Sequence, residues 1–455
     1  MAQTGTGKLD MTTGSEWKHI LLFSLPIMAG NLLQQLYNTV DGIVVGNFVS
    51  QNALAAAGTA GTLAFIFLAF AIGFGNGSGI MIAQLFGARQ FDELRGAVST
   101  ALILLVGMGA FFSVFGCSLA RFLLHGLMNV AEGEVLDLAV TYFAVYAVGF
   151  VLQFVYNAVA AILRAVGDSK ATLYFLLVSS VINLVLDLVF VVVFHWGIAG
   201  AAAATVLSQL GSAAVSVWYM FKKYPMFRFD KGEFTYHPDK GRLCLRLGIP
   251  TTIQQSIVSF GNVFIQRLVN SFGEAAMAAF TVGVRMEGYL FVPAVGLSVG
   301  VSTFTAQNVG AGRLDRVKRG SRAAVVITLI IAFTLEILSY AFAGVISSLF
   351  GVEGDAYTLS VSYVRFLAFF FWLFAVYIVY SGLLQGSGDV MYSMAGSLVS
   401  LAIRVILSYV LVYSFGVDFS AVWKAMPVGW VFCLALALGR YLSGGWKEKG
   451  IVKHG

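Results

Sequence analysis

Ala171–Phe194 reads ATLYFLLVSSVINLVLDLVFVVVF, a run apolar enough to cross a bilayer, yet it carries Asn183 and Asp187 well inside. A helix repeats every ~3.6 residues, so these two side chains, four apart, share one face. An acid at the centre of a membrane helix costs about 2.5–3.5 kcal/mol on insertion scales. A partner side chain, a bound cation or a held proton must offset that cost. A hydrogen-bonded pair tying two helices together is the plainer alternative, but acids inside membrane spans mark functional sites by default.

The whole chain resembles this stretch. Of its 455 residues 59% are hydrophobic and 11% charged, and the mean hydropathy is +0.86. Apolar runs of about 20 residues, the length that spans ~30 Å of hydrocarbon, recur from end to end. Their uniform apolarity excludes a β-barrel, whose strands alternate. The expected fold class is therefore an all-α polytopic membrane protein with about twelve spans. Its net charge of +6 does not imply nucleic-acid binding, and Cys117, Cys244 and Cys433 sit at no metal-ligand spacing. The first apolar run, near Ile20, is long enough to remain as a span.

The spans are expected at His19–Gly46, Ala53–Leu85, Ala97–Leu119, Leu136–Leu163, Ala171–Phe194 and Gly200–Phe221. A second set follows at Leu247–Phe272, Ala275–Ala306, Ala323–Phe350, Ala356–Leu384, Met391–Phe415 and Ser420–Leu442. This divides the chain into a loosely ordered cytoplasmic segment (1–18), an N-lobe (19–221), a polar cytoplasmic linker (222–246), a C-lobe (247–442) and a cytoplasmic tail (443–455). Of the 28 lysines and arginines, 28 − 6 = 22 fall in the alternate loops and termini that this topology puts inside. That asymmetry orients both termini to the cytoplasm of a plasma-membrane protein. The GTGK of Gly5–Lys8 lacks P-loop spacing. The GFGNGSG of Gly73–Gly79 lies within an apolar run and reads as a close helix crossing or bend.

An internal repeat is visible. QLFGARQFDEL from Gln84 returns as QNVGAGRLDRV from Gln307, and LRAVGD ending in Asp168 returns as LQGSGD ending in Asp389. The offsets are 307 − 84 = 223 and 389 − 168 = 221. Gly73 and Gly77 answer Gly296 and Gly300, and Pro26 answers Pro250. Two halves of six spans share one orientation, and transporters built this way bind substrate between their halves.

Counting along the spans places Asp41, Asp187 and Thr205 at one depth in the outer leaflet, with Asn183 beside them and Asn157 deeper. Two carboxylates with amide and hydroxyl oxygens suit Na⁺ held by Asp41 and Asp187. The same pair would also share a proton, and composition does not choose between them. The second half does not copy the site, since Asn183 falls on Arg404, Asp187 on Ser408 and Asp41 near Ile265. Its own polar residues include Arg285, Glu287 and Glu336. Glu287 is expected either to pair with Arg404 or Arg285 or to face a cavity. Glu336 is expected to be a helix-packing or interfacial residue.

The two six-span halves, the Q-x-x-G-A turns and the Asp41/Asn157/Asn183/Asp187/Thr205 constellation resemble the multidrug and toxic compound extrusion (MATE) family over essentially the whole chain. The resemblance implies a V-shaped, two-lobed exporter that exchanges amphipathic, mostly cationic compounds for Na⁺ or H⁺ bound by those five residues. It implies no cofactor beyond the transported ion. Another branch of the family carries further acids on its seventh and tenth spans. Here Gln254, Gln255, Tyr377 and Tyr380 stand there instead.

Phe, Tyr and Met number 39, 18 and 13, enough for an apolar cavity suited to flat lipophilic cations. Its expected lining is Gln34, Tyr37, Gln153, Gln255, Asn262, Met286 and Glu287, with Pro26 as a hinge. The expected partners are small-molecule cations and membrane lipids, with no nucleic acid, and the chain is expected to act as a monomer. A flippase for lipid-linked cell-wall or polysaccharide precursors is the alternative, and would want more spans and a strongly cationic cavity. A membrane-embedded enzyme is the distant one. His19, His125, His195, His237 and His454 are scattered, and no HExxH occurs.

Overall fold

The computed structural model describes residues 10–230 and 232–452, which form thirteen α-helices with no strand among them. They are α1 (Glu16–Phe48), α2 (Gln51–Gly87), α3 (Phe91–Arg121), α4 (Glu134–Val148), α5 (Phe150–Ala165), α6 (Ser169–Asp187) and α7 (Gly197–Lys223). The series continues with α8 (Pro238–Asn270), α9 (Glu274–Gly310), α10 (Leu314–Leu349), α11 (Gly354–Ser387), α12 (Val390–Tyr413) and α13 (Ala421–Ser443). Ten of these helices are long and apolar enough to span a membrane. The pair α4–α5, bent by 48°, makes an eleventh. α8 is 33 residues long, the same as α1, but its arginines, glutamines and asparagines dilute its apolarity.

The repeat holds at the level of whole elements. α9 reproduces α2 end to end at a constant offset (274 − 51 = 310 − 87 = 223). The fourth span, expected as one rod over Leu136–Leu163, is broken at Gly149. There Val151 donates its N–H to Ser113 Oγ at 3.2 Å. In α11, Trp372 likewise donates its N–H to a side chain, Glu336 Oε1, at 2.6 Å. Glu336 thus ties α10 to the backbone of a neighbouring helix, and its side chain is buried.

Packing divides the chain into two compact units. The first contains Ala29–Thr252, and the second joins Asp10–Met28 to Ile253–Gly455. The division therefore falls inside α1 and α8 and not in the polar 222–246 stretch. That stretch also proves shorter than expected. α8 begins at Pro238, where a proline lacking an N–H costs a helix nothing in its first turn.

Each unit holds its borrowed half-helix against glycines. In the first unit, a Cβ on Gly77 of α2 would lie 2.6 Å from the Gly248 nitrogen of α8. Thr251 Oγ1 nearby donates to the Gly73 carbonyl at 2.7 Å. In the second unit, Gly300 of α9 faces Ser24 and the Ile20 carbonyl of α1. Small residues let backbones approach where lipid supplies no hydrophobic drive for helix association.

The 1–18 segment was expected to be loosely ordered. Met1–Leu9 lie outside the described residues, but Met11 is buried and donates its N–H to Gln307 Oε1 at 2.9 Å. Arg316 Nη1 reaches the Gly14 carbonyl at 3.0 Å, and Nη2 reaches those of Met11 and Thr13, both at 3.2 Å.

The core of the first unit is built around Phe67, Phe143 and Phe150, with the Phe67 and Phe150 rings stacked at 5.1 Å. That of the second centres on Tyr363, Phe371, Trp423 and Trp430.

Candidate functional site

Three helices of the first unit deliver oxygen atoms to one place. α6 ends at Asp187 and continues as a π-helical turn, Leu188–Val193, before the chain reverses into α7. π turns recur at functional sites. The reversal sets Thr205 of α7 against Asn183 and Asp187, and all three are buried. Asp41 lies seven residues before the end of α1, or ~10 Å along its axis.

The Asn183 amide bridges the other groups. With its nitrogen toward the acid it donates to Asp187 Oδ2 at 2.7 Å, and its oxygen accepts the Thr205 N–H at 3.2 Å. Turned over, it donates to Thr205 Oγ1 at 3.4 Å. The Thr205 hydroxyl itself donates to the Ala201 carbonyl at 3.1 Å, which leaves its lone pairs for other partners.

The Asp41 and Asp187 carboxyl groups face each other within hydrogen-bond reach. One oxygen of each, Oδ1, is buried without any hydrogen-bond donor. The Tyr37 hydroxyl lies within reach of Thr205. Asn157, expected among the ligands, instead donates to the Gln153 carbonyl one turn back at 2.9 Å.

Sequence reasoning missed the wall of this site. Tyr142 and Tyr146 of α4 stand near enough to feel the Asp41 charge, and Tyr146 accepts a hydrogen bond from Gln153 Nε2 at 2.9 Å. Gln209, one turn beyond Thr205, lies within reach of Tyr146. The Tyr pair sits at (i, i+4) on α4, a spacing that reads equally as packing.

Two ionised carboxylates this close repel strongly in a medium that screens poorly. The arrangement can hold a proton between them or a hard monovalent cation ringed by carboxylate, amide and hydroxyl oxygens. Among the described residues no third Asp, Glu, His or Cys joins them, which disfavours a transition-metal centre.

The remaining expected residues are dispersed. In the first unit Gln34 is exposed, while Tyr37 and Gln153 are half-buried. In the second, Gln255 and Asn262 are half-buried. Met286 packs on Ala343 and Val364, and Glu287 is buried beside Arg404, with Nη2 to Oε1 at 3.6 Å. Both side chains are buried. Tyr363 donates a short hydrogen bond to Glu287, so the pairing expectation is the one realised there. Pro26 lies within α1, which runs through it as a single helix, two residues before that helix passes between units.

Comparison with known proteins supplies the family. The MatE family profile matches twice, over residues 26–189 and 250–410, once in each repeat. "Probable multidrug resistance protein YoeA" of Bacillus subtilis is 32% identical over 447 residues, 96% of each chain. "Probable multidrug resistance protein YpnP" of the same organism is 30% identical over 96% of this chain and 97% of its own. A crystal structure titled as MATE in the bent conformation superposes with a TM-score of 0.91 at 25% identity, covering 98% of this chain and 99% of that one. The chain belongs to the MatE family of multi-pass membrane transporters, and is not an enzyme.

Proposed function

We propose that this protein is a secondary active antiporter that exports amphipathic, mostly cationic compounds in exchange for Na⁺ or H⁺ taken at the Asp41–Asp187 pair. The multidrug naming of its relatives supports the substrate class. The two facing carboxylates, each with a buried oxygen that no donor reaches, carry the ion reading. Asn183 and Thr205 orient the pair and Tyr37 closes on it, while Asn157, turned back on its own helix, lies outside this set. Gln34, Tyr37, Gln153, Gln255 and Asn262 are the polar groups offered to substrate. The lysine and arginine asymmetry favours cytoplasmic placement of both termini.

Cation uptake cancels the repulsion between Asp41 and Asp187, and α1 responds through the missing hydrogen bond at Pro26. Moving one charge through the membrane field is worth ~2.3 kcal/mol per 100 mV, enough to drive accumulation against a gradient. The test is efflux of a fluorescent lipophilic cation from proteoliposomes under an imposed Na⁺ or proton gradient, each applied alone. One gradient should drive efflux in the native protein and neither in D41N or D187N, both still monodisperse. Undiminished efflux in both variants would sink the reading.

A further inference from the structure

The repeat allows the ion site to be looked for a second time. Near it the offset is 221, as for Asp168 and Asp389, so Asn183 corresponds to Arg404, Asp187 to Ser408, Thr205 to Met426 and Tyr142 to Tyr363. Neither acid has an acidic counterpart, but three of these residues, Tyr363, Met426 and Arg404, gather in the second unit around a carboxylate of different origin, Glu287, whose own counterpart on α2 is apolar. Tyr363 donates to Glu287 and touches Met426 Sδ at 3.8 Å, and Arg404 Nη2 lies 3.6 Å from Glu287 Oε1. The Tyr363 ring stacks on Trp423 at 5.1 Å, which fixes its hydroxyl.

The charges differ in a telling way. The first unit sets two carboxylates around an amide, with no basic group beside them among the described residues. The second sets one carboxylate against a guanidinium at the amide's own position. A guanidinium keeps its proton at any physiological pH and cannot leave its side chain. A site filled in this way neither binds nor releases an exchangeable ion.

We propose that Arg404 is a tethered cation that fills the second unit's copy of the ion site, confining ion exchange to one site per chain. This rests on the reading of Asp41–Asp187 as the coupling site and assigns the second half its part in the stoichiometry. Removing one partner of a buried pair leaves an uncompensated charge. Without Arg404, Glu287 must therefore recruit Na⁺ or H⁺ in its place.

The experiment counts cations bound per chain, with sodium binding and net proton uptake measured in parallel on the detergent-purified full chain. The neutral variants R404Q and R404M should raise the count from one to two. R404K, which keeps a tethered charge, should leave it at one, and R404Q/E287Q should return it to one. An unchanged count in folded R404Q and R404M overturns the proposal. A count of zero in the native chain and one in R404Q would instead refute the Asp41–Asp187 reading while upholding this one. Should neither neutral variant fold, E287Q is the readout. Its guanidinium, stripped of a carboxylate, should make the melting temperature chloride-dependent, and indifference to chloride counts against the tethered cation.

Discussion

Asn183 and Asp187 lie one turn apart on α6, and the amide, nitrogen toward the acid, reaches Oδ2 at 2.7 Å while Oδ1 has no donor. One oxygen is held and the other is left free to work. An acid fixed by a neighbour but not saturated by it is what reversible capture of a small cation needs.

It follows that Asn183 sets affinity more than existence of the site. N183L keeps both carboxylates but removes their orienting amide, and should weaken cation binding by about tenfold, within the range found for outer-sphere partners of metal ligands. T205A should act in the same direction and more weakly. Half-saturation of efflux by the driving cation is the measurement, with maximal rate largely preserved.

Restoring a full hydrogen-bond ladder to α1 offers a second test. P26A supplies the N–H that proline lacks and removes its clash with the preceding turn. The variant should fold and still bind the cation at Asp41 and Asp187, yet transport more slowly. Cation binding and drug efflux measured on the same preparation separate the two effects, and equal transport rates would dismiss the hinge.

The turn between α5 and α6 carries a pH signature. Asp168 caps α6 and accepts hydrogen bonds from Tyr224 at 2.7 Å and from Tyr219 and Lys223 at 2.9 Å. Burial alone would raise its pKa, but these bonds and the Lys223 charge outweigh burial and hold it below the usual carboxylate range. The group is therefore easier to ionise folded than unfolded. Its contribution is complete above the unfolded pKa of about 4 and is lost as pH falls through the lower folded value. D168N should cost about 2 kcal/mol at neutral pH, the scale of a charged hydrogen bond. That cost should shrink toward zero in strong acid, as read from unfolding in micelles.

Gly77 tests the crossing of α2 and α8. A Cβ there falls 2.6 Å from the Gly248 nitrogen and 2.8 Å from its Cα, and backbone cannot step aside. G77A should destabilise by about 1–3 kcal/mol, in the range of overpacked cores, and G77L should abolish folding. The comparison control is Gly58 on the same helix, where a Cβ meets nothing within 4 Å and alanine should be tolerated.

Much of this was legible in the sequence because bilayers write a coarse grammar. Apolar length located the spans, and Asp41, Asn183, Asp187 and Thr205 stood out as polar letters in an apolar text. Their common depth could be counted, since rise per residue is fixed. Depth says nothing of azimuth, which is why Asn157, on the right unit, spends its amide on its own helix. Tyr142, Tyr146 and Gln209 escaped notice because an aromatic or amide among many carries no signal until its neighbours are known. The kink at Gly149 depends on a side chain from another helix, Ser113, that meets a freed N–H, a tertiary matter. For Glu287 the sequence offers a pairing or a cavity wall, and the structure supplies the pairing partner, Arg404.

The half-helices Asp10–Met28 and 238–252 each pack in the unit that their own sequence repeat does not build. A polypeptide severed in the 224–237 loop would yield fragments that each carry the other's missing piece. Neither should make a self-sufficient protein when produced by itself, whereas the two produced together should reassemble by trading those pieces back. The duplication that made this chain thus left two copies that lend each other a part and no longer stand alone.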